Sequence, residues 1–197
     1  MAEPAIAFTE SPNRILFVGQ ETNGWHGSFQ TSDEGDITEY VENYRKFNFG
    51  EKYRSSPFFQ YYQSTGDALA GSTEACMWTN LFKFGRDSGK GTPSEKVNEA
   101  ELQYFNILRE EIEILSPSCV LFLTGPNYDH FLQQRIPDAE FHPMGQFDIR
   151  QLAKISSSAL PECSYRIYHP GYGNRDTGMY HGTIDLVKED YFSRHSK

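Results

Sequence analysis

The sequence contains few cysteines and few basic residues. Its three cysteines are widely separated and form no CxxC pair, which argues against a disulfide framework and against a zinc or iron–sulfur site, so we expect buried thiols. Lysine and arginine number 18 against 27 aspartate and glutamate residues, for a formal net charge of −9. Because binding to nucleic acid requires basic side chains that displace phosphate counterions, this charge balance argues against a broad basic surface for nucleic acid. It leaves room only for a small basic patch around a pocket.

Long apolar runs and several enzyme signatures are also missing. No run approaches the length of a membrane span, and residues 1–13 carry neither region of a secretion signal, so we expect a cytoplasmic protein without a membrane partner. The histidines show no HExxH spacing, and no GxSxG motif is present. Residues 85–90 resemble a Walker P-loop that is one residue short, and Gly91 stands where a magnesium-binding Ser or Thr belongs, so we expect a flexible loop. The sequence predicts no metal and no cofactor.

What the sequence does contain is enough apolar material for one core. Of its 197 residues, 38% are hydrophobic, and no linker or repeat divides them, which predicts a single domain over 1–197. Four short apolar runs predict core strands, and two of them are nearly continuous, as in a parallel sheet covered on both faces. The four runs are 15–18, 75–79, 119–124 and 166–168.

Helical patterns lie between these runs. One helix is predicted to begin at Ser94 and to end before Pro117, with its many glutamates on a solvated face, and another to begin at Ser56-Pro57. Amphipathic spacing also occurs at 37–44 and 180–191. Alternating strands and helices predict a three-layer α/β fold with a central, mainly parallel four-stranded sheet. Residues 26–72 form a long crossover insertion that we expect to help shape a pocket.

Polar side chains follow the predicted strands at the edge where open α/β sheets bind ligands. Glu21 follows the first strand, Asn80 the second and His169 the fourth. A carboxylate, an amide and an imidazole on one edge are typical of a hydrolytic site for a polar, planar substrate. Each residue also has a structural interpretation: Glu21 as a surface carboxylate, Asn80 as a turn residue and His169 as a loop histidine.

Four sequence blocks, in order, resemble motifs of the uracil-DNA glycosylase superfamily. Residues 15–21, ILFVGQE, resemble a strand ending in Gly-Gln-Asp or Gly-Glu-Ala, and residues 78–83, WTNLFK, resemble the Ile-Thr-Asn-x-x-Lys of the base-reading strand. Residues 115–125 are similar to a helix, a proline and a strand ending in Gly, and residues 168–175, YHPGYGNR, to a His-Pro-Ser block. The chain departs from the family where Glu21 replaces Asp, Thr22-Asn23 replace Pro-Tyr and Gly171 replaces Ser. It also lacks the cysteine cluster of the iron–sulfur branches.

The resemblance implies a uracil-DNA glycosylase-like fold and a hydrolase that cleaves the N-glycosidic bond of uracil, or of a related damaged or modified base, in DNA. In that reaction His169 would donate to the leaving base as a neutral imidazole, and Glu21 would orient water and stabilise the sugar cation. Asn80 would read the flipped base, and the backbone at Gln20 would cap a base carbonyl. Phe29 would stack on the base.

Contacts with the DNA backbone would come from the same edge of the sheet. Tyr172 would act as an apolar wedge and Arg175 as a phosphate contact, helped by Lys83, Arg86 and Lys90. The expected partner is single- or double-stranded DNA that carries such a base, bound by a monomer. Two alternatives remain open at this point: a catalytically silent base-binding or interaction protein of the same fold, and a hydrolase of free nucleosides or nucleotides.

Overall fold

A six-stranded mixed sheet forms the centre of the protein in the computed structural model, which describes residues 4–22, Glu42, 55–86, 91–171 and 177–195. The strands lie side by side in the order β2-β1-β3-β6-β5-β4. Their bounds are β1 (Ile15–Glu21), β2 (Cys76–Phe82), β3 (Cys119–Phe122), β4 (Glu140–Pro143), β5 (Leu152–Ser156) and β6 (Cys163–Ile167).

The α/β class predicted from the sequence is confirmed, whereas the predicted number of four strands is wrong. β1, β2, β3 and β6 overlap the four predicted runs and pair in parallel with one another. The two further strands, β5 and β4, extend the sheet beyond β6 in antiparallel pairing. They were missed because β4 is mostly exposed and β5 carries Lys154 among its apolar residues, so neither gives a continuous apolar run.

Helices pack against both faces of this sheet, and two of them begin where the sequence predicts. The Ser56 hydroxyl accepts a hydrogen bond from the Phe59 N–H and the Ser94 hydroxyl accepts one from the Val97 N–H, which satisfies backbone donors at two helix starts. The helices are α1 (Ile6–Glu10), α2 (Pro57–Ala70), α3 (Glu95–Tyr104), α4 (Leu108–Leu115), α5 (Asp129–Arg135) and α6 (Thr177–His195). Two 3₁₀ turns add Thr73–Ala75 and Pro126–Tyr128.

The single helix predicted from Ser94 to Pro117 is in fact two. Phe105 leaves the helical region with φ −146°, and α4 begins only at Leu108. The Ile107 N–H donates to the Phe105 carbonyl at 2.9 Å, and this tight turn separates the two helices. Of the predicted 26–72 crossover, the structure describes Glu42 and the segment from 55 onward, which holds α2; the rest, including most of the amphipathic 37–44 stretch, lies outside the described residues.

Two apolar cores sandwich the sheet. One packs α2 and α6 against Phe17, Trp78 and Tyr165, and the other packs α1, α4 and α5 against the opposite face. The three cysteines are buried free thiols, as predicted. Among the described helices, none is long and apolar enough to span a membrane.

Candidate functional site

The three predicted site residues lie at the carboxyl ends of parallel strands. Glu21 is the last residue of β1, Asn80 lies two residues before the end of β2, and His169 lies two residues beyond β6. Register places Gly19 opposite Asn80 and Glu21 opposite Phe82. The parallel direction of these strands therefore places all three residues toward one edge of the sheet.

Glu21 is held by two loops at this edge. Its Oε2 accepts a hydrogen bond of 2.7 Å from the Tyr128 hydroxyl, and its Oε1 accepts one of 3.2 Å from the backbone N–H of Gly91. Tyr128 ends the 3₁₀ turn after β3, and Gly91 lies in the chain that follows β2. The carboxylate is therefore a fixed group and not a freely solvated loop side chain.

The neighbouring residues of β1 also contact adjacent loops. The Gln20 side chain donates from Nε2 to the Thr124 carbonyl at 2.7 Å, which ties the end of β1 to the end of β3. A side chain at Gly85 would come within 2.0 Å of the Thr22 carbonyl oxygen, so the loop after β2 approaches β1 only because residue 85 is glycine.

Asn80 is 1% exposed and shares a tight space with Gly19 and Trp78. A Cβ atom built at Gly19 would lie 2.4 Å from Asn80 Oδ1 and 3.0 Å from Trp78 Nε1. The amide oxygen and the indole N–H therefore lie side by side over a glycine backbone. Sequence reasoning did not assign this role to Gly19, although a glycine inside an apolar strand signals close approach by another group.

His169 is fixed in one orientation by a hydrogen bond from the backbone. Its Nδ1 accepts a bond of 3.0 Å from the Gly171 N–H, so the neutral ring carries its proton on Nε2. Burial lowers the pKa of His169 to about 4, which keeps the imidazole neutral at pH 7. A Cβ at Gly171 would lie 3.0 Å from the ring, so glycine at this position avoids crowding against His169.

Phe58 connects the histidine to the strand that carries Asn80. Its ring centroid lies 5.4 Å from that of His169 and 5.8 Å from that of Trp78. Phe58 belongs to α2 and is buried in the core between that helix and the sheet. The same ring also covers one side of the imidazole and contributes to its desolvation.

Lys83 does not extend toward solvent as a phosphate contact, and that expectation is corrected. Its Nζ donates to Thr79 Oγ1 at 2.6 Å and pairs with Glu111 Oε2, with both charged side chains less than a tenth exposed. Burial lowers the pKa of Lys83, and Glu111 opposes that effect. This lysine therefore contributes a structural ion pair beneath β2.

A second buried ion pair stands beside the first. Glu101, 2% exposed, accepts from Arg135 at 2.9 Å and from the backbone N–H groups of Lys83 and Phe84. The expectation that the glutamates of 95–117 form a solvated face is wrong for Glu101 and Glu111. Both were misassigned because a charged residue on a helix looks solvated until its buried partner is known.

Three predicted contacts, Phe29, Tyr172 and Arg175, lie outside the described residues, as does Lys90. Across the segments that the structure describes, no three His, Cys, Asp or Glu side chains group in a way that could hold a metal ion. Tyr128 is a site residue that sequence reasoning missed, although it lies only three positions after the glycine that follows β3.

Comparison with known proteins gives no family assignment. No protein-family model matches the sequence, and no curated protein matches it. The evidence for function therefore comes from the chemistry of the site and from the four sequence blocks.

Proposed function

We propose that the protein is a DNA glycosylase with the uracil-DNA glycosylase-like fold, which hydrolyses the N-glycosidic bond of uracil, or of a related damaged or modified base, in DNA. The main support for the proposal is the protonation state and orientation of the His169 imidazole. The imidazole is neutral, with Nε2–H as the donor, at the sheet edge that also receives Asn80 and Glu21. The four strands that carry or precede the resembling blocks are also neighbours in the parallel part of the sheet.

The reaction demands opposite electrostatics at its two ends. Cleavage leaves a base that gains negative charge and a sugar that gains oxocarbenium character. A neutral imidazole donates a hydrogen bond to the base oxygen without having to lose a proton, and a carboxylate stabilises the sugar cation and orients water. His169 supplies the first group, and Glu21, fixed by Tyr128 and Gly91, supplies the second.

Base recognition falls to Asn80. An amide presents both a donor and an acceptor, which matches the edge of a pyrimidine. Its burial beside the bare backbone of Gly19 fixes the direction of that amide, and the Trp78 indole N–H lies next to its oxygen. The Gln20 side chain donates to the Thr124 carbonyl, so we assign the contact with a base carbonyl to the backbone of residue 20 and not to its side chain.

One observation favours a second candidate, a hydrolase of free nucleosides or nucleotides. Lys83 is buried in an ion pair and the chain carries a net charge of −9, so one expected phosphate contact is lost from an already acidic protein. A small substrate needs fewer phosphate contacts than a duplex does.

The deciding experiment measures base release from single- and double-stranded DNA that contains uracil, with free nucleosides assayed in parallel. We expect release from DNA, and we expect His169→Ala and Glu21→Ala each to lower the single-turnover rate by about two orders of magnitude or more. His142→Ala is the matched control, because His142 lies on the exposed strand β4. Release from nucleosides alone would favour the second candidate. Binding without release would indicate the catalytically silent protein.

A further inference from the structure

Tyr128 is a buried tyrosine whose hydroxyl contacts the proposed catalytic carboxylate. The residue is 6% exposed, and its ring packs edge-on against Phe82 and beside Phe131. Its hydroxyl donates to Glu21 Oε2 at 2.7 Å. A hydrogen bond from a neutral hydroxyl to a carboxylate is short and strong, because the acceptor carries charge.

The contact addresses a specific problem at this position. A glutamate has one more rotatable bond than an aspartate, so its carboxylate must lose more side-chain freedom to be held in one place. Tyr128 anchors one oxygen from the loop after β3, and the Gly91 N–H anchors the other from the chain after β2. The aromatic contacts with Phe82 and Phe131 in turn hold the tyrosine ring, so the hydroxyl is a rigid donor.

From this geometry we infer that Tyr128 is a positioning residue that fixes Glu21 for water activation, a role that rests on the proposed glycosylase function. Glu21 and Tyr128 act as one unit. Shortening the carboxylate by one methylene withdraws it by about 1.5 Å, beyond hydrogen-bond reach of the hydroxyl. Aspartate at position 21 is therefore a poor replacement in this chain, although it is the usual residue of the family that the sequence resembles.

A double-mutant cycle tests the inference. Tyr128→Phe removes only the hydroxyl, and we expect the maximal single-turnover rate to fall about tenfold while the substrate concentration at half-maximal rate changes less than about twofold. The maximal single-turnover rate of Glu21→Asp should fall by a similar factor. In the Glu21→Asp background, Tyr128→Phe should have almost no further effect, because the contact is already broken.

Tyr191→Phe is the matched control. Tyr191 is also a buried tyrosine, but its hydroxyl bonds Ser118 and Asn13 at the opposite, amino end of the strands. We expect its removal to lower stability and to leave the rate unchanged.

Two results would overturn the role separately from the function. An active wild-type protein whose rate is unchanged in Tyr128→Phe rules out positioning by Tyr128, as do single variants whose rate losses multiply fully in the double variant. A wild-type protein that releases no base from any DNA refutes the proposed function and this role with it.

Discussion

Protonation of His169 should make the protein measurably less stable in mild acid. The ring is packed against Phe58 and receives a backbone hydrogen bond on Nδ1, so the folded protein holds it in the neutral form. Burial lowers its pKa from 6.5 to about 4. An unfolded chain takes up the proton near pH 6.5, whereas the folded protein takes it up only near pH 4. Stability from this residue is therefore complete above pH 6.5 and falls as the pH drops from 6.5 to 4.

The size of the effect follows from the two pKa values. Each pKa unit corresponds to about 1.4 kcal/mol, so the full loss approaches about 3 kcal/mol at pH 4. Between pH 7 and pH 5 the same relation gives a loss of about 2 kcal/mol. This is a large fraction of the stability of an ordinary domain.

Urea unfolding of the wild-type protein and of His169→Asn isolates this contribution. Asparagine cannot titrate, and its side-chain oxygen takes the place of Nδ1 as acceptor for the Gly171 N–H. The other histidines are present in both proteins, so their effects cancel in the comparison. We expect the wild-type free energy of unfolding to fall by about 2 kcal/mol more than that of the variant between pH 7 and pH 5. Parallel pH dependence in the two proteins would refute the argument that His169 is held neutral.

Three further predictions follow from the described contacts. Glu101→Gln leaves the Arg135 charge buried without a carboxylate, so the free energy of unfolding measured in urea should fall by about 3 to 5 kcal/mol. The control Glu110→Gln, at an exposed position, should change that free energy by less than about 0.5 kcal/mol, and equal effects would contradict the buried ion pair. Gly19→Ala pushes a methyl group against Asn80, so KM should rise at least about fivefold with a stability cost of about 1 to 3 kcal/mol, and an unchanged KM would remove Asn80 from substrate binding. Because Lys83 is buried and cannot contact a phosphate, the logarithm of DNA affinity should depend on the logarithm of salt concentration with a slope of about −3. A slope steeper than about −6 would indicate a far larger basic surface.

The parallel part of the fold was predictable because its strands are buried on both faces. Such strands give continuous apolar runs, and their common direction places the residues that follow them at one edge, which is why the sequence predicted Glu21, Asn80 and His169 at that edge. β4 is mostly exposed and gives no comparable signal, so the antiparallel extension required the structure.

The buried charges were not predictable for a different reason. Glu101 and Glu111 have the same local pattern as their solvated neighbours, and only the distant partners Arg135 and Lys83 distinguish them. Tyr128 illustrates a milder case of the same limit. Its place near the end of β3 was readable, but its contact with Glu21 bridges 107 positions of sequence.

The Glu101 carboxylate has a consequence for how the sheet opens. β2 stands at one end of the strand order among the described residues, so its exit toward the site lacks the support of a neighbouring strand on its outer side. Glu101 accepts the backbone N–H groups of Lys83 and Phe84, and a side chain thus takes the place of a ladder partner. We therefore expect exchange of those two amide protons with solvent to depend on opening of the Glu101–Arg135 pair and not on separation of β1 from β2. Substitutions at that pair should then change local opening at Lys83 and Phe84 without loosening the parallel strands.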